Sequence, residues 1–311
     1  FQKEKYESGE LRQPTPKEDV ATDPVINLQS YFGRLNLGYD SRYLVTLNYR
    51  RDGTSRFSED NRWGNFAGGA FAWNVSEEEF LKDNATVSTL KLRVGYGTTG
   101  QQDISAQYDY LRRVTLGTIN SQYIFGNTIY STARPEGYNE NIKWEELAEM
   151  NLGIDYGFFD DRITGSINYF DKKSTDLLAD IAVPDGANLR NQGFFNIGSV
   201  QTKGVEFSIA SDIVKNDNLT WNVAFNTTYI DQKISELGIT VPGFQGYLAG
   251  DNIAGGNGNK ILINSVDYAP NSFFVYEQLY DADKRPIAGA YVDRNVDGKI
   301  DAGDRYRAGK T

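Results

Sequence analysis

Between residues 31 and 231, eight separate segments alternate apolar and polar side chains with a period of two, which is the signature of half-buried strands. In the segment starting at Tyr43, Tyr43, Val45, Leu47 and Tyr49 fall on one face, and Leu44, Thr46, Asn48 and Arg50 on the other. The same rule sets Leu90, Leu92, Val94 and Tyr96 against Lys91, Arg93, Gly95 and Gly97. It also sets Met150, Leu152, Ile154, Tyr156 and Phe158 against Asn151, Gly153, Asp155 and Gly157. Segments opening at Arg162, Lys203 and Trp221 repeat it, and 31–39 and the Gly/Ala-rich 63–73 complete the set. This pattern predicts an all-β chain.

The links between segments differ in length. Residues 40–42, 159–161 and 212–218 are short connections, and 76–88 is a slightly longer one that could hold a helical turn. Long irregular stretches lie at 99–143, at 172–197 and after 231. Every short link then falls at one end of an antiparallel up-and-down meander and every long one at the other. Compact soluble domains rarely keep structureless loops beyond about 15 residues. A transmembrane barrel does so as a rule, with short periplasmic turns and long extracellular loops.

Alternation alone would also fit a soluble β-sandwich. Strand length and aromatic placement favour the barrel. Segments of about nine to eleven residues suit a tilted membrane strand, against about five or six in soluble sheets. Tyr39, Tyr43, Tyr49, Trp73, Tyr96, Tyr156, Phe158, Tyr169, Trp221 and Tyr229 sit at or near strand ends on the apolar face, where membrane interfaces collect aromatics. Gly33, Gly69 and Gly165 interrupt that face.

Composition narrows the chemistry. The 311 residues include no Cys and no His, so disulfides, Cys/His zinc sites, thiol nucleophiles and a Ser-His-Asp triad within the chain are excluded. A net charge of -10 with no dense Lys/Arg cluster argues against nucleic acid as a partner. No run of 18 apolar residues could form a membrane helix. The chain opens at Phe1 without an apolar signal core, and is read as a fragment cut at both ends.

Residues 51–83, 88–104, 143–178 and 196–209 resemble the SusC/RagA family of TonB-dependent outer-membrane transporters, and 271–305 resembles the family's late extracellular region. The resemblance implies a plugged barrel of about 22 strands, of which eight would be roughly a third. It implies import of glycans or oligopeptides driven through TonB, with a SusD-like lipoprotein as a lid and outer-membrane lipid around the wall. Residues 1–30 would then be a loop before the first strand, 31–231 the barrel strands, and 232–311 a long extracellular loop region. Plug and closing strands are expected outside this chain. Two alternatives stay open: a secreted or surface calcium-stabilised binding module for glycan or protein, and a TonB-dependent siderophore receptor.

One motif stands apart. Asp293, Asn295, Asp297, Asp301 and Asp304 occupy positions one, three, five, nine and twelve of a loop with Gly298 at six and Ile300 at eight. This is the spacing of an EF-hand or dockerin calcium loop, with the Lys299 main-chain carbonyl at seven as a further ligand. Calcium is the only cofactor expected, with a dissociation constant on the order of 10⁻⁴ to 10⁻³ M. Asp304 replaces the usual Glu, and Val296 stands where Gly is common. The competing reading is a polar Asp-Gly turn without an ion.

No catalytic residues are assigned, and the chain is not read as an enzyme. Glu145 with Glu146, and Asp160 with Asp161, are adjacent carboxylates of the kind glycosidases use across a cleft, but the second pair sits in a tight turn where Asp is expected. The glycine-rich 255–259 lacks the Lys-Ser/Thr and helix of a phosphate cradle. Loop aromatics that could stack on sugar rings are Tyr108, Tyr110, Tyr123, Tyr130, Phe244 and Tyr247.

Overall fold

The computed structural model describes residues 26–82, 84–103, 108–112, 114–117, 121–182, 192–238, 244–253 and 259–309. Eight long strands follow the expected segments: β1 Leu28–Tyr39, β2 Tyr43–Thr54, β3 Trp63–Asn74, β4 Val87–Gln101, β5 Glu145–Phe158, β6 Ile163–Thr175, β7 Ser199–Lys215 and β8 Thr220–Glu236. They pair in chain order as one antiparallel eight-stranded sheet.

The strands outrun the sequence reading, chiefly at the long-loop end, so the sheet spans 28–236 rather than 31–231. At the other end, Asp212 to Lys215 belongs to β7, and a register shift between Asp212 and Val214 absorbs the irregularity that looked like a turn. The true turn is 216–219, where the Asn216 side chain accepts the N–H groups of Asn218 and Leu219. Asp40 and Ser41, like Asp160 and Asp161, take positive φ. Such left-handed turns match the twist of the strands they join.

Alternation and register agree throughout. Leu35 faces Leu47, Phe71 faces Val94, and Tyr169 pairs with both Leu152 and Val205 on one face of the sheet. No second layer covers that face among the described residues. Leu35, Leu37, Leu47, Val94, Leu152, Ile154, Ile167, Val205, Val223 and Phe225 each leave 41% to 56% of their surface open. At roughly 1.5–3 kcal/mol per fully buried side chain, exposing half of each to water would cost on the order of 10 kcal/mol in all. That rivals the whole net stability of an ordinary domain, about 5–15 kcal/mol. Lipid is the solvent that removes the cost.

Aromatics bracket this band. Tyr39, Tyr43, Phe71 and Trp73 form a row of stacked rings at the short-turn end, with centroids 6.4 Å apart at each step. Tyr31 stacks on Trp63 at 6.2 Å at the opposite end. From Tyr43 to Tyr49 the strand climbs about 20 Å. Gly165 on the same face admits the Tyr156 ring, whose hydroxyl donates to the Ser208 carbonyl at 3.1 Å across β6.

The long links are not structureless. Val114–Leu116 pairs with Ala133–Pro135, Gln122–Phe125 with Thr128–Ser131, and Leu178–Ala182 with Gln192–Asn196. After β8, Tyr247–Ala249, Leu262–Asn264, Ser272–Tyr276 and Arg305–Arg307 form a four-stranded sheet, joined by a small hairpin of Gln278–Tyr280 with Pro286–Tyr291. These strands are three to six residues long, too short for periodicity to reveal.

Candidate functional site

Three constructions dominate the polar face and the long-loop end. On the polar face, Arg93 of β4 makes a bidentate pair with Asp155 of β5, both contacts at 2.7 Å, and reaches on to Asn168 Oδ1 of β6 at 2.7 Å. Asn168 donates to Ser166, which shares a 2.9 Å hydrogen bond with Ser208 of β7. The guanidinium crosses β5 over Gly153, where any Cβ would collide with it. The network was visible as a polar face in sequence, but its wiring depends on register.

At the long-loop end, Phe57, Phe66, Ile142 and Trp144 form a buried cluster, with Trp144 edge-on to Phe57 at 5.7 Å and to Phe66 at 5.5 Å. The Trp144 indole donates to the Arg62 carbonyl at 3.1 Å. Tyr110, Leu178 and Phe194 pack against it, so residues from three separate links share one core. The cluster sits where the β3–β4 ladder stops. Backbone pairing runs only from Gly68 with Gly97 to Asn74 with Lys91, and above it the Thr98 hydroxyl accepts the Ala67 N–H at 3.1 Å. Sequence reasoning missed this core because its members are scattered over long links.

The six loop aromatics meet in three pairs: Tyr108 with Tyr110 at 6.2 Å, Tyr123 with Tyr130 at 5.4 Å and Phe244 with Tyr247 at 4.9 Å. Tyr110 serves the core, and burial pushes the Tyr247 hydroxyl up from its usual range. Tyr123 and Tyr130 are different. They stack across a two-stranded hairpin and remain 54% and 44% exposed, ring faces available to a flat apolar partner.

In the 293–304 loop, carboxylates and amides fold the backbone about themselves. Asp293 accepts the Asp297 N–H at 3.2 Å and the Gly298 N–H at 2.7 Å, Asn295 accepts the Asp297 N–H at 3.1 Å, and Asp297 accepts the Lys299 N–H at 2.9 Å. Asp301 caps a 3₁₀ turn, Ala302–Asp304, by accepting the Gly303 N–H at 2.7 Å. Asp304 is fully buried and accepts from Arg294 and Asp301, both at 2.8 Å. The Asp301 N–H above all, with those of Arg294 and Asn295, holds its carboxyl below the ordinary carboxylate range despite burial. Gly298 takes φ +82°, and so does Val296 at +59°, a strained value for a β-branched residue. Ile300 is 45% exposed and packs into no core.

This donor set is all oxygen, as a hard cation requires; the Asp293 and Asp297 oxygens keep lone pairs beyond the N–H groups they accept, whereas Asp304 Oδ1 already accepts from both Arg294 and Asn295. Among the described residues no three acidic or other metal-ligating side chains converge as a ready cage. One carboxylate of each adjacent pair has a structural partner. Asp161 accepts from Ser88 and Thr89, and Glu145 accepts the Leu178 N–H at 3.2 Å. The glycines at 255, 256 and 258 lie outside the described residues.

The chain matches the family model of the TonB dependent receptor-like β-barrel over residues 2–307. It belongs to that family. It is 45% identical over 290 residues to the TonB-dependent receptor SusC of Bacteroides thetaiotaomicron, covering 93% of this chain and 29% of that protein. A TonB-dependent receptor of Formosa agariphila is 32% identical over 306 residues, 94% of this chain and 30% of the relative. The chain thus spans about a third of the length of these relatives. Among solved structures, the RagAB peptide transporter superposes with a TM-score of 0.74 at 22% identity, covering 92% of this chain and 30% of the other, a likeness of fold. The eight strands are therefore a stretch of outer-membrane barrel wall of the SusC/RagA type.

Proposed function

We propose that the complete protein imports oligosaccharides, or oligopeptides as the second substrate class, across the outer membrane, energised through TonB and working with a SusD-type lipoprotein over the long-loop end. Short turns would then face the periplasm and long loops the exterior. The identity to SusC along 93% of the chain carries this reading, since it runs through the loops as well as the strands. The exposed Tyr123–Tyr130 stack supports the sugar class, because pyranose faces pack on flat rings. This is transport without a catalytic step; Asp161 is engaged in a turn and Glu145 at a strand end.

The test is deletion of the gene in its host, followed by growth on single oligosaccharides and on peptide mixtures as sole carbon source. Growth should fail on one class, return with a plasmid copy, and be accompanied by co-purification of a surface lipoprotein. Undiminished growth on every oligosaccharide and peptide would overturn the reading, and a defect confined to ferric siderophores would replace it with the siderophore alternative.

We also propose Asp293, Asn295, Asp297, the Lys299 carbonyl, Asp301 and Asp304 as the ligands of a weak calcium site. The buried Asp304 charge, held by backbone N–H groups, supports it. An ion bound only by the folded loop must raise the protection of its amides against exchange. Unchanged protection at millimolar calcium would sink the site.

A further inference from the structure

The link between β3 and β4 folds over the outside of the wall. Glu78 accepts the Tyr43 hydroxyl at 2.7 Å and the Trp73 indole N–H at 2.9 Å, while its other oxygen meets Arg42 at 3.1 Å. Tyr43 and Trp73 belong to the apolar face, as their stacking with each other and that of Tyr43 with Phe71 require. A carboxylate that takes hydrogen bonds from both must lie over that face, at its short-turn edge. The chain then turns tightly, with the N–H groups of Leu81 and Lys82 both donating to the Glu78 carbonyl. Within this turn stands Phe80, 71% exposed and two residues along the chain from the carboxylate that Tyr43 and Trp73 hold.

We propose that residues 78–82 are a membrane foot, in which the Glu78 clamp places the Phe80 ring in the headgroup–acyl boundary of the phospholipid leaflet at the short-turn end. The attachment of this turn, through Glu78, to two aromatics of the lipid-facing band selects lipid as the occupant. Exposed Glu77, Glu79 and Lys82 hold the segment at headgroup level, since charges do not enter the hydrocarbon cheaply. The ring supplies the apolar contact that interfacial segments use to anchor.

The experiment attaches a spin label at Phe80→Cys, Glu79→Cys or Leu152→Cys in the full-length protein. The protein is reconstituted in vesicles of phosphatidylethanolamine and phosphatidylglycerol. Accessibility is read with oxygen, which partitions into lipid, and with a water-soluble nickel chelate. Position 80 should favour oxygen several-fold, approaching the mid-wall position 152, while position 79 favours the chelate. A position 80 as aqueous as 79 overturns the foot, and an aqueous 152 overturns the placement of the wall as well. In Glu78→Ala, verified as folded by heat-modifiable migration, position 80 should shift toward water. If it stays in lipid, Glu78 does not set it there.

Discussion

The two ends of this wall are built on opposite principles. At the short-turn end, the shortest connections close largely through their own backbones and single side chains, as Asn216 does by accepting two N–H groups, and only a few outside side chains, such as Tyr43 on Glu78 and Ser88 on Asp161, reach in. At the long-loop end, order comes from contacts between links far apart in sequence, as Trp144 shows by touching Phe57 and Phe66 and donating to Arg62. The first kind of order is local and cheap in chain entropy. The second requires closing large loops before any contact forms.

The sharpest way to break this contrast is Trp144→Ala. Loss of a buried indole costs about 3–5 kcal/mol, and the loss should be confined to the long-loop end. Exchange protection should fall in 55–62, 176–182 and 192–198 while the turns at 40–42 and 216–219 keep theirs. Next in size is Leu152→Arg, a cation on the lipid face at mid-wall, which should destabilise the barrel by about 2–4 kcal/mol in vesicle unfolding titrations. Ser166→Asn on the opposite face should move the midpoint far less.

Protonation gives a smaller and local effect. The folded Asp304 carboxyl lies below the usual range, so its contribution is present above the unfolded value and is lost as pH falls through the folded one. Acidification should therefore release the amides of Arg294, Asn295 and Asp301 first. Glu78 is also depressed, chiefly by the Tyr43 hydroxyl and then the Trp73 indole, so the short-turn clamp loosens in the same direction. The smallest expected change is a gain. Val296→Gly removes a left-handed β-branched residue and should stabilise the loop by about 1 kcal/mol, read as slower exchange at Gly298.

The wall was legible because its code is a period of two written over long segments, so that Tyr43 to Tyr49 alone fixes which face meets lipid. That the backbone folds tightly from Asp293 to Asp304 was legible for the same reason, as Asp, Asn and Gly at fixed local spacings. What sequence could not supply was wiring that depends on which strand lies beside which. Arg93 finds Asp155 and Asn168 only after β4, β5 and β6 are in register, and Glu78 finds Tyr43 only after β2 lies beside β3. Of the loop aromatics that could stack on sugar rings, Tyr110 joins the core and Tyr123 stays open, for reasons no local pattern carries.

The interrupted β3–β4 ladder has a mechanical meaning. Above Gly68 the strands β1 to β3 form one leaf and β4 to β8 another, stitched by the Thr98 hydroxyl and wedged by Phe66 and Trp144. The spacing of the two leaves at this seam is thus set by side-chain bulk and not by ladder hydrogen bonds. A substitution at Phe66 or Trp144 would act there as a cooper's shim does, shifting one leaf against the other and leaving every stave in place.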